Sequence, residues 1–122
     1  MVDKRGISTR CVHAGELTDI EGATHTPVFN TTTFGFESTA DLLDVVEGRR
    51  SGNLYTRYGQ NPSLRSLENK LASLEGAESA LSFSSGIAAE SSLFFAYGLA
   101  GIVCVGNAYG GTLDLLTSQC PQ

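Results

Sequence analysis

Basic residues are missing from the C-terminal third of this sequence. Between residues 79 and 122 there is no lysine or arginine, and the carboxylates are Glu90 and Asp114. A surface that faces solvent normally carries many more charges than this. We therefore expect this part of the chain to be covered, either by further chain or by another subunit.

The sequence is also poor in cysteine. Cys11, Cys104 and Cys120 form an odd set without a C-x-x-C pair. Such a set argues against a disulfide framework and a zinc site, so we expect no bound metal and a reducing, cytoplasmic environment. Cys104 lies within an apolar run and is interpreted as a small buried hydrophobic residue.

Long apolar segments are missing as well. The most apolar stretch, residues 93–105, is interrupted by Gly98 and Gly101. It is shorter than the roughly 20 residues that a membrane-spanning helix needs. No apolar segment of a secretory signal follows the first six residues. We therefore expect neither membrane insertion nor secretion.

The length and the net charge exclude or disfavour further classes of protein. The chain has 122 residues, a formal net charge of -5 and 41% hydrophobic residues. This length allows one domain at most, and the hydrophobic content is sufficient for a packed core. Because the net charge is negative, binding to nucleic acid is disfavoured.

Two helices are marked by signals at their ends. Residues 38–47 begin with Ser38 as N-cap and are followed by Gly48, which suits a left-handed C-terminal residue. The second helix follows Asn61 as N-cap and ends at Gly76. Leucines at helical spacing form its predicted apolar face: Leu64, Leu67, Leu71 and Leu74.

The segment before about residue 36 shows neither helical nor strand periodicity for long. Residues 25–34 are β-prone, but Pro27 restricts them and no tight turn pairs them with a neighbouring strand. We expect an extended N-terminal arm that lies on another surface, because an arm of this length does not fold alone.

From residue 79 onward the pattern alternates between strand and helix. Residues 80–83 and 102–105 are predicted strands, and residues 87–97 and 113–118 are predicted helices. This alternation is typical of an α/β fold with a mainly parallel sheet and helices on both faces. Two strands are too few to close such a sheet, so we expect the fold to be incomplete in this chain.

Three segments suit a ligand, and each also has an ordinary structural explanation. Residues 84–86 precede a helix and favour an anion, although a plain N-cap has the same composition. Tyr109 stands beside two glycines, where its ring either stacks on a planar ligand or packs over its own loop. Tyr55 and Arg57 form either a phosphate clamp or a solvated loop. Together the three segments match a planar, phosphorylated cofactor.

Seven segments of the sequence form a series. They are TRCVHAG at residues 9–15, GATHTPVF at 22–29, YTRYGQNPS at 55–63, LE at 67–68, LEGA at 74–77, SSGIAA at 84–89 and YGGT at 109–112. In order and spacing they resemble the Cys/Met-metabolism family of pyridoxal-phosphate enzymes. The resemblance extends from about residue 9 to the end of the chain and covers only the N-terminal portion of a family member.

The resemblance implies a fold and a division of the chain. Residues 1–60 correspond to an N-terminal arm and inter-subunit segment. Residues 61–122 correspond to the first part of the large cofactor-binding domain of a fold-type I enzyme. The implied cofactor is pyridoxal 5′-phosphate.

The resemblance also assigns site residues. Ser85, Gly86 and Ile87 fall where the family binds the cofactor phosphate, largely through backbone N–H groups. Tyr109 falls on the tyrosine that stacks on the pyridine ring and takes part in proton transfer, which makes it the implied catalytic residue.

Tyr55 and Arg57 fall on the pair that reaches the phosphate of the neighbouring subunit's cofactor. This role implies a homo-oligomer, expected as a dimer of dimers, in which the N-terminal arm wraps a partner subunit. The remaining implied partners are the rest of the enzyme chain and a small amino-acid substrate.

The lysine that holds the cofactor covalently in this family has no match. Lys4 and Lys70 are the lysines of the chain; the first lies near the terminus and the second is expected on a solvent-leaning helix side. The family's lysine motif lies beyond position 122, and Asp114 does not match the aspartate at the pyridine nitrogen. We expect these 122 residues to be inactive alone.

Two functions remain open. The first is the N-terminal part of a pyridoxal-phosphate-dependent lyase or transferase of trans-sulfuration type. It would act on sulfur-containing or related amino acids by β/γ-elimination or γ-replacement. The second is a truncated, non-catalytic oligomerisation or phosphate-binding relative. The missing lysine favours the second function, whereas the retained Tyr55, Arg57 and Tyr109 favour the first.

Overall fold

The computed structural model describes residues 4–17 and 21–120. The described part does not include residues 1–3, 18–20 or 121–122. The first two of these ranges belong to the predicted arm, and the third belongs to the predicted cofactor-binding domain. The chain divides into two compact units, Met1–Leu81 and Ser82–Gln122. The expected division of roles at residue 60 stays a prediction.

The described residues of the first unit form three α-helices and one short 3-10 turn. Helix α1 spans Ile7–His13, α2 spans Thr39–Val46, the 3-10 turn spans Thr56–Tyr58 and α3 spans Pro62–Glu75. The sequence predicts no helix before residue 36, so α1 is a correction to the fully extended arm. Seven residues are too few to show a helical period, and the helix depends on packing against α3.

Lys70 of α3 anchors the end of α1. Its ammonium group donates to the carbonyl oxygens of Cys11, at 3.2 Å, and Val12, at 2.9 Å. The last carbonyls of a helix have no partner within the helix, and a cation there also favours the helix dipole. Lys70 therefore has a structural partner in the same unit.

Gly15 allows α1 to approach α3 closely. The preceding residue, Ala14, is 1% exposed, and Gly15 itself has a positive φ of 72°. A Cβ atom at this position would collide with the backbone carbonyl of Ser66 and lie 2.8 Å from the backbone nitrogen of Lys70. Position 15 therefore requires glycine for both its conformation and its packing.

The predicted ends of α2 and α3 are confirmed. Ser38 caps α2 by accepting a hydrogen bond from the Asp41 backbone N–H at 3.1 Å, and Gly48 has a left-handed φ of 72°. The Ser38 hydroxyl donates to the Asp41 carboxylate at 2.6 Å and, together with the Arg50 guanidinium, holds the pKa of Asp41 below its ordinary value. Gly76 ends α3 with a left-handed φ of 66°.

The predicted leucine face of α3 is covered only in part. Leu67 and Leu71 are exposed, whereas Pro62 and Ala72 are buried. Contact with α1 uses the neighbouring face, where Ser66 and Lys70 lie. The spacing of leucines shows which side of a helix is apolar. It does not show which side of the helix packs against the rest of the same unit.

Asn61 joins three segments of the first unit. It is 3% exposed, and its side-chain oxygen accepts the Ser63 backbone N–H at 2.8 Å, which caps α3. Its side-chain nitrogen donates to the Phe29 carbonyl at 3.0 Å and to the Thr56 hydroxyl at 3.1 Å. One amide therefore connects the arm, the 3-10 turn and the start of α3.

Up to residue 120, where the description ends, the second unit forms two α-helices with irregular connections. Helix α4 spans Gly86–Tyr97 and is followed by a 3-10 turn at Gly98–Ala100; helix α5 spans Gly110–Asp114 and continues as a π-helical turn at Leu115–Gln119. The predicted helix at 87–97 is confirmed. The predicted helix at 113–118 begins earlier, at Gly110. Among the described residues, no helix is long and apolar enough to cross a membrane.

The predicted parallel sheet is not formed by the described residues of this chain. Their β pairing is one antiparallel bridge between Thr33 and Tyr55. Residues 80–83 and 102–105 are not β-strands, and Val103 and Val105 are 88% and 91% exposed. Cys104 is likewise exposed rather than buried. A parallel strand needs neighbours from other segments of chain, which an apolar run does not itself provide.

We predict that Asn61→Ala lowers the free energy of unfolding by about 2–3 kcal/mol, because the α3 cap and two hydrogen bonds are lost together. Asn61→Asp separates these roles: it keeps the capping oxygen but cannot donate to Phe29 or Thr56. Urea unfolding measures both variants against Asn69→Ala, an exposed asparagine on α3. Equal unfolding midpoints for Asn61→Ala and Asn69→Ala would contradict the prediction.

Candidate functional site

Tyr55 and Arg57 lie together on the surface of the first unit. The Arg57 guanidinium donates to the Tyr55 hydroxyl, and its central carbon lies 4.9 Å from the centroid of the Tyr55 ring. The Tyr58 ring packs against the Tyr55 ring, with 5.2 Å between the two ring centroids. A cation and a phenol are therefore presented side by side, which suits an oxyanion such as phosphate.

The backbone under this pair is fixed by the extended arm. Tyr55 forms the β-bridge with Thr33, and the Thr56 backbone N–H donates to the Thr32 carbonyl at 2.8 Å. The Thr56 hydroxyl donates to the Thr31 carbonyl at 2.6 Å. Gly59 ends the turn with a left-handed φ of 77°. The sequence predicts a loop here, and the structure makes it an ordered turn.

The N-terminus of α4 lies in the second unit and contains the predicted phosphate-binding residues. Ser85 is the N-cap: its hydroxyl accepts the Ala88 backbone N–H at 3.2 Å, and its carbonyl accepts that of Ala89 at 3.2 Å. These bonds leave the N–H groups of Gly86 and Ile87 for an acceptor outside the helix. The space where a Cβ of Gly86 would lie is open, so an anion can approach the backbone closely.

Tyr109 precedes α5 in the same unit. Its side chain is 77% exposed and makes no capping hydrogen bond. A Cβ atom at Gly111 would lie 2.9 Å from the Tyr109 ring and 3.3 Å from the end of the Ile87 side chain. Tyr109 and Ile87 therefore both lie against Gly111, and the tyrosine ring is presented near the start of α4.

The structure thus forms the candidate site as two groups of residues. Ser85, Gly86, Ile87 and Tyr109 are brought together within the second unit. Tyr55 and Arg57 are brought together within the first unit. The described residues contain no cluster of three or more histidine, cysteine or acidic side chains able to hold a metal ion.

One interaction in the second unit was not predicted from the sequence. The Thr112 hydroxyl of α5 donates to the Glu90 carboxylate of α4 at 2.7 Å. The available signal was that Glu90 is a carboxylate in a segment with almost no charge. Its partner lies 22 residues away, and no local pattern connects the two positions.

Comparison with known proteins identifies the family. Residues 8–122 match the family described as Cys/Met metabolism PLP-dependent enzyme, where PLP is pyridoxal 5′-phosphate. The match covers nearly the whole chain, and the chain belongs to this family.

The similar proteins are named as a lyase and a sulfhydrylase. An L-methionine gamma-lyase of Porphyromonas gingivalis is 40% identical over 116 residues, which cover 93% of this chain and 29% of that protein. An O-acetyl-L-homoserine sulfhydrylase of Corynebacterium glutamicum is 37% identical and matches 93% of this chain and 26% of its own length. The chain therefore spans less than a third of these relatives.

A solved structure has the same fold over most of this chain. The crystal structure of metB from Corynebacterium glutamicum superposes with a TM-score of 0.75 at 35% sequence identity. The alignment covers 95% of this chain and 29% of that one. The fold is accordingly that of one portion of a larger enzyme structure.

We predict that Gly111→Ala displaces the Tyr109 ring, because the new methyl group would occupy the space beside that ring and Ile87. Gly110→Ala is the matched control, since a Cβ there meets open space. Both changes replace glycine by alanine within α5, so their effects on helix propensity are similar. In fluorotyrosine NMR, Gly111→Ala should move the Tyr109 signal by more than Gly110→Ala; equal shifts would contradict the assigned contact.

Proposed function

We propose that this chain forms the cofactor-cradling part of a pyridoxal-phosphate-dependent lyase or transferase of the cytoplasm. The enzyme acts on sulfur-containing or related amino acids by β/γ-elimination or γ-replacement. The observation that carries the proposal is the open N-terminus of α4, with the Tyr109 ring presented beside it. Family membership and the names of the similar enzymes support the reaction class.

The residues of the second unit suit a phosphorylated, planar cofactor. The N–H groups of Gly86 and Ile87 have no acceptor in their own helix, and the positive end of the α4 dipole favours an anion. Ser85 lies at the same helix end and adds a hydroxyl close to the phosphate position. An unhindered approach at Gly86 lets the phosphate reach these groups.

Tyr109 has two roles in this proposal. Its exposed ring stacks on the pyridine ring and limits rotation of the cofactor about its phosphate anchor. Its hydroxyl then lies where it can hold or move a proton at the reacting end of the substrate. Neither role requires the ring to be buried within this chain.

Tyr55 and Arg57 bind the phosphate of the cofactor in a neighbouring subunit. The Arg57 guanidinium is held against Tyr55 by a hydrogen bond and by the ring face, so both donors are oriented before a phosphate arrives. A site that needs these side chains from a second copy makes the enzyme a homo-oligomer, and we propose a dimer of dimers. The small amino-acid substrate binds only in that assembly.

When bound, pyridoxal phosphate supplies the electron sink that stabilises negative charge at the substrate α-carbon. Covalent attachment of the cofactor needs a lysine. Lys70 is engaged at the end of α1, and Lys4 precedes that helix. We assign neither to the cofactor, so the activity requires a lysine from sequence outside these 122 residues.

The second candidate function is a non-catalytic phosphate-binding or oligomerisation relative, favoured by the absence of an assignable lysine. Borohydride reduction distinguishes the two when it is applied, with pyridoxal phosphate, to the protein produced from the full reading frame that contains these 122 residues. The enzyme should lose its visible absorption and gain the mass of one cofactor on a single lysine. Reversible binding that leaves no covalent label supports the second function, and no binding at all contradicts both cofactor-based proposals.

We predict that Arg57→Ala weakens the affinity for pyridoxal phosphate by about tenfold or more, because a charge-assisted hydrogen bond to the phosphate is lost. The affinity of Arg57→Lys should lie between those of the wild-type protein and Arg57→Ala, because lysine keeps the charge but lacks the planar guanidinium group. Arg49→Ala is the control: this exposed arginine pairs with Asp44 at 2.7 Å. Equilibrium dialysis measures the affinities, and a wild-type value for Arg57→Ala would rule out the assigned role.

A further inference from the structure

Burial within the second unit does not fix the position of the Tyr109 ring. The ring is 77% exposed and its side chain makes no capping bond. It projects from the residue just before α5, a helix of five residues, which is too short to be stable alone. The position of the ring therefore depends on whatever holds the start of α5.

Two contacts hold α5 against α4. Gly111 lies against the side chain of Ile87, and the Thr112 hydroxyl donates to the Glu90 carboxylate at 2.7 Å. Ile87 and Glu90 are three residues apart and share one face of α4. The hydrogen bond is the directional contact of the two, because the glycine contributes no side chain.

Glu90 is an unusual residue for its surroundings. It is half-buried, and its own unit, Ser82–Gln122, contains no lysine or arginine in the sequence. Withdrawing a carboxylate from water is unfavourable unless it is hydrogen-bonded. A hydroxyl bonded to a carboxylate forms a short and strong hydrogen bond, and its 2.7 Å length agrees with this.

We propose that Glu90 is a positioning residue for Tyr109 and acts through Thr112. The hydrogen bond holds the first turn of α5 against α4 and so sets where the tyrosine ring projects beside Gly111 and the Ile87 side chain. The consequence for the cofactor rests on the proposed function, whereas the effect on the ring itself does not. Phosphate binding by the α4 N–H groups is independent of this bond.

The first measurement is made without ligand, on protein labelled with fluorotyrosine. Thr112→Val removes the hydroxyl at nearly constant volume and should shift or broaden the Tyr109 signal, which is assigned by its loss in Tyr109→Phe. Thr112→Ser restores the hydroxyl and should return the signal. Thr117→Val is the matched control, because the Thr117 hydroxyl donates to the Leu113 carbonyl within its own helical segment at 2.8 Å.

The second measurement compares the affinities for pyridoxal phosphate and inorganic phosphate. Thr112→Val and Glu90→Ala should each weaken pyridoxal phosphate binding by about threefold to tenfold, and the double variant should be no weaker than either one, as expected for partners in one contact. Inorganic phosphate should bind with equal affinity to the wild-type protein, the two single variants and the double variant. A uniform loss for both ligands would indicate a general structural defect and would overturn the positioning role.

The two proposals fail in different ways. If the wild-type protein binds no pyridoxal phosphate but Thr112→Val still shifts the Tyr109 signal, the proposed function fails and the positioning role stands. If pyridoxal phosphate binds and neither Thr112→Val nor Glu90→Ala changes the signal or the affinity, the positioning role is wrong. A shift that persists in Thr112→Ser also contradicts it, because that variant keeps the hydrogen bond.

Discussion

In the described part of the first unit, the buried side-chain amide of Asn61 joins the arm, the 3-10 turn and α3. Both ends of its side chain are used, toward the Ser63 N–H on one side and toward Phe29 and Thr56 on the other. An unpaired polar group left at such a position costs about 1–3 kcal/mol, so the arm, the turn and α3 are stabilised together. The surface position of Arg57 follows, because the turn that bears it cannot shift independently of these bonds.

Helix ends were predictable because their signals are local. Asn61, Pro62 and Gly76 define α3 within one turn of each boundary, and the structure has the helix at Pro62–Glu75. Helix α1 was not predictable in this way. Its seven residues depend on Lys70 and on the close approach at Gly15, which are contacts between distant positions that no local pattern records.

The predicted strands show a different limit of prediction from sequence. An apolar run such as residues 102–105 indicates a segment that favours burial, but the run does not contain the neighbours that would bury it. Val103, Cys104 and Val105 are accordingly exposed in this chain. Ser85, Gly86 and Tyr109 lie in short motifs, so they could be proposed as site residues from the sequence, and their roles stay predictions. The contact between Glu90 and Thr112 joins two helices and was visible only in the structure.

The two parts of the candidate site are held in place by different means, and their substitutions should therefore differ in effect. Arg57 projects from a turn that is bridged to the arm and hydrogen-bonded to Asn61, so removing its side chain deletes the proposed phosphate donor and leaves the backbone unchanged. Tyr109 projects from a short helix whose first turn is held by Glu90 through Thr112. Changes near Tyr109 should alter the orientation of a bound ring, whereas changes at Arg57 should alter how tightly the phosphate is held.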